Sequence, residues 1–350
     1  MTLVFGRKQK RLSRFRSEVE SAKRRKVLAA FALVLSVCLL ISVSMFFINL
    51  RAQESTRAQI AFVSNRDGVN GDIFVMNADG SNPVNLTNTF GEQEQFPSWS
   101  PDGTKIAFDF HSRIHVMNAD GTNIIQLTNH NKFGGIQPAW SPDGRKIAFM
   151  AGWDGNYDIY VMNADGTNPV RLTEHPAQDQ EPAWSPDGRQ IAFWSDRLDP
   201  WKIYVIDADG RGRPWQLTKG LGDDISPSWS PGGKRIVFSS NRNGNWEIYV
   251  MDVNGSDVTN LTNHPAVDNW PAWSPDGSQI AFTSFRDGDF SDIYVMDADG
   301  NNPRNLTNRP GGSDWDSAWF HPAAYSVSPT GKRLLIWGWL KQRVHHAKIE

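Results

Sequence analysis

PAWSPDG occupies residues 138–144 and recurs at 182–188 and 271–277, with near copies PSWSPDG at 97–103 and PSWSPGG at 227–233. Aligned on tryptophan, the copies fall at Trp99, Trp140, Trp184, Trp229 and Trp273, spaced 41, 44, 45 and 44 residues apart. A degenerate copy follows 46 residues later at Trp319. An apolar triplet such as Ile147-Ala148-Phe149 stands after each of the first five, followed by segments of the type DIYVMNADG (158–166) and NPVRLT (168–173). The last three parts also appear once without a preceding tryptophan, as IAF at 60–62, DIFVMNADG at 72–80 and NPVNLT at 82–87.

Each part has the composition of a short strand, β-branched and aromatic residues between Gly, Pro, Asp and Asn punctuation. We call the four parts a (around PAWS), b (KIAF), c (DIYVM) and d (PVRLT). Ser-Pro-Asp-Gly between a and b suits a type I turn, and Asn-Ala-Asp-Gly between c and d a short hairpin loop whose glycine takes positive φ. Four antiparallel strands per unit of about 40–45 residues define a β-propeller blade. Residues 59–87 supply b, c and d of a blade lacking a, and residues 317–320 supply an isolated a. Together they complete one blade and close the ring, which predicts an all-β, six-bladed propeller over 59–320. A helical solenoid is excluded, because these segments carry no 3.6-residue apolar period.

WSPDGxxIAF followed by DIYVMxADG and LTN resembles the WD-like repeat of TolB-type β-propellers, over residues 59–320. The resemblance implies a propeller of the kind found in binding proteins, in peptidases beside a hydrolase domain and in polysaccharide-cleaving enzymes. TolB-like proteins carry an α/β domain before the propeller, and only the short linker 51–58 stands there in this chain.

Upstream the composition changes. Residues 1–26 hold ten Lys or Arg against two Glu. Residues 27–50 are uncharged and 24 long, enough to cross a bilayer as one transmembrane helix. The basic flank places 1–26 in the cytoplasm, 27–50 as a single-pass signal anchor in the cell membrane, and the propeller on the far, periplasmic side. A cleaved signal peptide is the rival reading, with a usual apolar region of only about 7–15 residues. The single cysteine, Cys38, lies within the apolar run, so the exported part contains no disulfide. The tail 321–350 contains a weak echo of an a–b hairpin.

Catalytic motifs are few. No G-x-S-x-G elbow occurs, and 30 residues after the closing strand leave no room for a fused hydrolase. DADG at 207–210 and 297–300 lacks the glutamate that ends a calcium loop. His130, His175 and His264 follow strand d in three separate blades, too far apart for one metal and best read as solvated loop residues. The expectation is a protein that is not an enzyme and has no cofactor, calcium at an acidic channel mouth being the one candidate.

The a–b and c–d turns are nearly constant and share one face of the disc. The b–c and d–a loops share the other and vary from blade to blade, the form of a recognition surface. Aromatic candidates for binding there are Trp153, Trp201, Trp246, Trp270 and Trp315. Three residues before each Pro or its equivalent stand Glu94, Gly135, Asp179, Asp224, Asp268 and Asp314. The five acids predict either local caps of the d–a loops or an acidic rim that attracts cations or a basic peptide. A protein or peptide partner is expected, with the membrane through 27–50 and no nucleic acid. The alternatives are a carbohydrate-binding or polysaccharide-cleaving propeller, and a structural module of an envelope complex.

Overall fold

The computed structural model describes residues 58–68, 70–89, 91–129, 134–152 and 156–320. The expected anchor, the linker up to residue 57 and the tail 321–350 lie outside these. Among the described residues no helix is long and apolar enough to cross a membrane.

Blade 1 begins with β1 (Gln59–Ser64), β2 (Asp72–Asn77) and β3 (Val84–Asn85). Blade 2 holds β4 (Glu94–Trp99), β5 (Lys105–Phe110), β6 (Arg113–Asn118) and β7 (Ile125–Gln126). Blade 3 holds β8 (Ile136–Trp140), β9 (Lys146–Ala151), β10 (Asp158–Asn163) and β11 (Val170–Arg171). Blade 4 holds β12 (Asp179–Trp184), β13 (Gln190–Ser195), β14 (Lys202–Asp207) and β15 (Trp215–Gln216). Blade 5 holds β16 (Asp224–Trp229), β17 (Arg235–Ser240), β18 (Glu247–Asp252) and β19 (Thr259–Asn260). Blade 6 holds β20 (Asp268–Trp273), β21 (Gln279–Ser284), β22 (Asp292–Asp297) and β23 (Arg304–Asn305). The last strand, β24 (Asp314–Phe320), returns to blade 1 and gives the order β24-β1-β2-β3. Every pairing is antiparallel, and Ile60 faces Trp319 across the closure. The six-bladed ring and its closing blade match the sequence expectation.

The repeated residues build their own turns. In blade 2 the Ser100 hydroxyl donates to Asp102 Oδ1 at 2.6 Å and accepts the Lys105 N–H at 2.9 Å, while the Thr104 N–H donates to the same Asp102 oxygen at 3.0 Å. Gly103 closes the turn at φ +69°, a conformation that costs a glycine nothing. The Leu-Thr of part d has an equally regular use. The hydroxyls of Thr87, Thr128, Thr173, Thr218, Thr262 and Thr307 each accept the N–H of the isoleucine in the adjacent c strand, at 2.9–3.1 Å. This bond replaces the missing ladder of an outer strand only two residues long, which leaves little open edge.

The triplets of part b are fully buried, Ile60, Phe62, Phe149, Phe193, Phe238 and Phe282 among them. Alternate residues of one strand face opposite neighbours, so each inter-blade cluster draws on two blades. Ile60 and Phe62 pack with Ala281, Ile293 and Val295 of blade 6, whereas Ala61 and Val63 pack with Ile106 and Phe108 of blade 2. The core is therefore continuous around the ring.

Candidate functional site

Every inner strand carries the same irregularity. In β4, Phe96 and Pro97 stand opposite the single residue Phe108, because pairing shifts between Gln95 and Ser98. The equivalent shift occurs in β8, β12, β16, β20 and β24. The first bulged residue is left-handed each time: Phe96 (φ +54°), Gln137 (+55°), Glu181 (+56°), Ser226 (+54°), Trp270 (+52°) and Asp316 (+51°). Such a conformation costs about 1–3 kcal/mol in a non-glycine residue and persists only where surrounding structure imposes it. The following proline suits the innermost edge, where no ladder N–H is needed. These six residues, the five prolines and Ser317 line a cavity of about 190 Å³ at the centre of the ring.

The bulge sets the fate of the acidic residues. Asp314, Asp179, Asp224 and Asp268 lie before it, directly opposite Ser64, Ser195, Ser240 and Ser284. All four carboxylates are buried rather than exposed at the channel mouth. Each accepts from an arginine two residues beyond the serine: Arg66 to Asp314 at 3.0 Å, Arg197 to Asp179 at 2.6 Å, Arg242 to Asp224 at 2.7 Å and Arg286 to Asp268 at 2.7 Å. The guanidinium in turn covers aromatic faces, as Arg197 does over Tyr204 at 4.7 Å and Arg242 over Tyr249 at 4.9 Å. Asp224 has a second cation, the buried Lys202 ammonium at 3.2 Å. These positions are interior ion pairs that tie each b–c loop to its inner strand. The expected rim of free negative charge is not formed by them, because the carboxylates point into the blade and their charge is met there.

Blades 2 and 3 depart from this scheme. Glu94 is buried without an arginine and accepts the Thr89 hydroxyl at 2.8 Å. Burial, reinforced by the Asp72 charge, raises its pKa, and the Thr89 and Thr87 hydroxyls offset only part of that. Blade 3 has Gly135 at this position and Ala151 at that of the serine.

The expected aromatic anchors separate into three kinds. Trp201 is 40% exposed and stacks on Trp194 with ring centroids 4.8 Å apart; Phe285 and Phe290 are exposed as well. Trp246 and Trp315 are half-buried, and Trp315 packs over the position of Gly71, where a β-carbon would stand 2.9 Å from its ring. Trp270 belongs to the channel. Trp153 and His130 lie outside the described residues. The His175 and His264 rings accept N–H groups of their own loops, from Ala177 and Ala266. Among the described residues no group of three or more His, Cys, Asp or Glu could hold a metal ion.

Trp270 apart, the sequence reading missed two sets of residues, both visible as patterns. Ser-x-Arg follows the triplet in the four blades that carry the aspartate, and in no other blade. The residue just before the proline or its equivalent differs in all six blades (Phe96, Gln137, Glu181, Ser226, Trp270 and Asp316), as expected of side chains facing a shared lumen rather than a repeated core.

In the channel, Gln137 Nε2 donates to Glu181 Oε1 at 3.3 Å, and Gln137 Oε1 accepts the Glu181 N–H at 3.2 Å. Burial raises the Glu181 pKa against the hydrogen bonds of Ser226, Trp194 and Gln137. Asp316 lies three blades away, across the ring. Burial, then the charge of Glu181, pushes its pKa up to about 8, and the Phe96 N–H counters only in part.

A closed ring of six four-stranded blades, with constant turns on one face and variable loops on the other, defines a six-bladed β-propeller. The chain matches the TolB beta propeller domain over residues 60–220 and 211–348, and it belongs to that family. It is similar to TolB from Acinetobacter baumannii, with 25% identity and a TM-score of 0.64, covering 76% of this chain and 67% of that one. It is likewise similar to a putative TolB from Agrobacterium tumefaciens, with 25% identity and a TM-score of 0.60, covering 75% and 98%. An oligogalacturonate lyase in complex with manganese shares the fold at 15% identity and a TM-score of 0.53, covering 70% and 73%. No curated protein matches the chain.

Proposed function

We propose that this chain is a non-catalytic scaffold, anchored in the cell membrane through residues 27–50, whose propeller recognises a protein or peptide outside the cytoplasm. One observation carries the reading: the variable face presents exposed apolar side chains on loops tied to the inner strands by buried ion pairs. Gln59 pairs with Phe320, so the first and last strands of the propeller begin and end at the constant-turn face. On the opposite face Trp201, Phe285, Phe290, Leu198 and Leu221 stand exposed on loops held by buried aspartate–arginine pairs. Rigid aromatic groups on a fixed frame bind with little ordering cost. The family membership supports the protein-binding class. Calcium at the four aspartates is not part of this reading, since each is already neutralised by an arginine.

The test compares three forms of the full chain in crosslinking capture from native membranes: unaltered, Trp201→Ala with Phe285→Ala and Phe290→Ala, and a control altered at Arg189 and Arg211 on the turn face. Loss of a specific partner in the first variant alone supports the reading. Equal capture by all three, or loss only in the turn-face control, overturns it.

A further inference from the structure

We propose that the central channel takes one cationic side chain of the partner, an arginine guanidinium, between Asp316 with its aromatic neighbours Phe96 and Trp270 and the opposite group of Gln137, Glu181 and Ser226. The inference deepens the scaffold reading and rests on it.

The first ground is a contrast within the molecule. The four aspartates before the bulges are buried and each has an arginine within 3.0 Å. Glu181 and Asp316, at the bulges, have no cation among their hydrogen-bond and charge partners. Buried carboxylates are normally paired or held neutral. The channel is thus the place where a cation supplied from outside completes the pattern.

The second ground is the lining. Ser317 replaces the proline of the other five blades, and its hydroxyl lines the cavity, nine-tenths buried, without a hydrogen-bond partner. Glu181 Oε2 and the Ser226 hydroxyl also lack partners of normal geometry. These are acceptors for a donor-rich group.

Shape and chemistry then select the ligand. The strand bearing Asp316 lies between those of Phe96 and Trp270, and all three residues line the cavity, so it offers a carboxylate together with aromatic side chains from both neighbouring strands. A planar guanidinium stacks on aromatic faces and forks to carboxylates, which a hydrated metal ion does not. Calcium asks for about six to eight oxygen ligands, more than two carboxylates and two hydroxyls provide. A cavity of about 190 Å³ admits a single side chain and excludes a folded element.

The groups facing Asp316 are Glu181 and the Phe96 N–H; those facing Glu181 are Gln137, Ser226, Trp194 and Asp316. None carries positive charge. Asp316, at about 8, holds its proton at neutral pH, so an arriving guanidinium displaces a proton and its binding strengthens as pH rises.

The test is calorimetric titration of the full chain in detergent with N-acetyl-L-arginine methylamide and its neutral isostere N-acetyl-L-citrulline methylamide. We expect the arginine probe to bind about tenfold tighter than the citrulline probe, as a charge-assisted contact implies. That preference should grow about tenfold between about pH 6.5 and about pH 9, the range in which the acid ionises. Glu181→Gln with Asp316→Asn should abolish it. Equal binding of the two probes, a preference independent of pH, or one retained in the double variant overturns the proposal. If that variant does not fold, the two probes on the unaltered chain decide alone. A chain that captures its partner yet shows no arginine preference keeps the scaffold reading and loses this one.

Discussion

Removing the carboxylate of Asp224 should destabilise the propeller more than any other single change on the variable face. This side chain is fully buried and holds two cations, Arg242 at 2.7 Å and Lys202 at 3.2 Å, besides the Ser240 hydroxyl at 2.6 Å. Asp224→Ala leaves a nearly inaccessible ammonium and a mostly buried guanidinium without a counter-charge. Breaking a buried ion pair from one side costs about 3–5 kcal/mol, against a domain's net stability of about 5–15 kcal/mol. For a domain of this size about 1 kcal/mol corresponds to roughly 2–4 °C, so the melting temperature should fall by about 6–20 °C. Arg242→Ala should cost less, because Lys202 still neutralises the acid. The assay is thermal unfolding followed by tryptophan fluorescence, with the two variants and their combination forming a double-mutant cycle. An Asp224→Ala chain melting within about 1 °C of the unaltered one would falsify the interior ion-pair assignment, since about 0.5 kcal/mol is the scale of an ordinary surface change.

Trp319→Ala should cost about 3–5 kcal/mol, because that buried ring joins the last strand to the core of blade 1; an unchanged melting temperature refutes the closure. Asp316 binds its proton more tightly folded than unfolded, about 8 against 3.8, so its contribution favours the folded state at low pH and fades as pH rises through about 8. Asp316→Asn should accordingly gain stability relative to the unaltered chain between pH 5 and 9 in melting scans, and a constant difference counts against the burial of that acid. Thr173→Val should cost about 1–3 kcal/mol by leaving the Ile159 N–H without its acceptor, measured by denaturant unfolding; a neutral result removes the role assigned to the Leu-Thr pair. Residues 27–50 as an uncleaved anchor predict a membrane-bound chain whose propeller is cut by protease only from outside the cytoplasm; a soluble chain beginning near Gln53 refutes that.

Blade number, strand order and the closing strand were all legible, because turns, triplets and hairpin loops act within a few residues of one another and repeat. The site was legible only in part. Glu94, Asp179, Asp224, Asp268 and Asp314 stood out as regular acids, yet their direction was hidden. Trp201 and Trp315 were alike as binding candidates, but Trp201 is exposed while Trp315 belongs half within the core, where it covers Gly71.

By itself the sequence determined the repeat, since Ser-Pro-Asp-Gly closes its own turn and Ile-Ala-Phe alternates into the core whatever lies elsewhere in the chain. Only the tertiary structure decided which side chains face the lumen. Period-two alternation would put the residues three and one before the proline on the same side of the inner strand. The left-handed bulge that begins at Glu181 breaks that alternation, so Asp179 turns into its blade to meet Arg197 while Glu181 lines the channel. The bulge is formed by pairing with the neighbouring strand, and the lumen exists only when six such strands converge. Neither is a property of any seven residues.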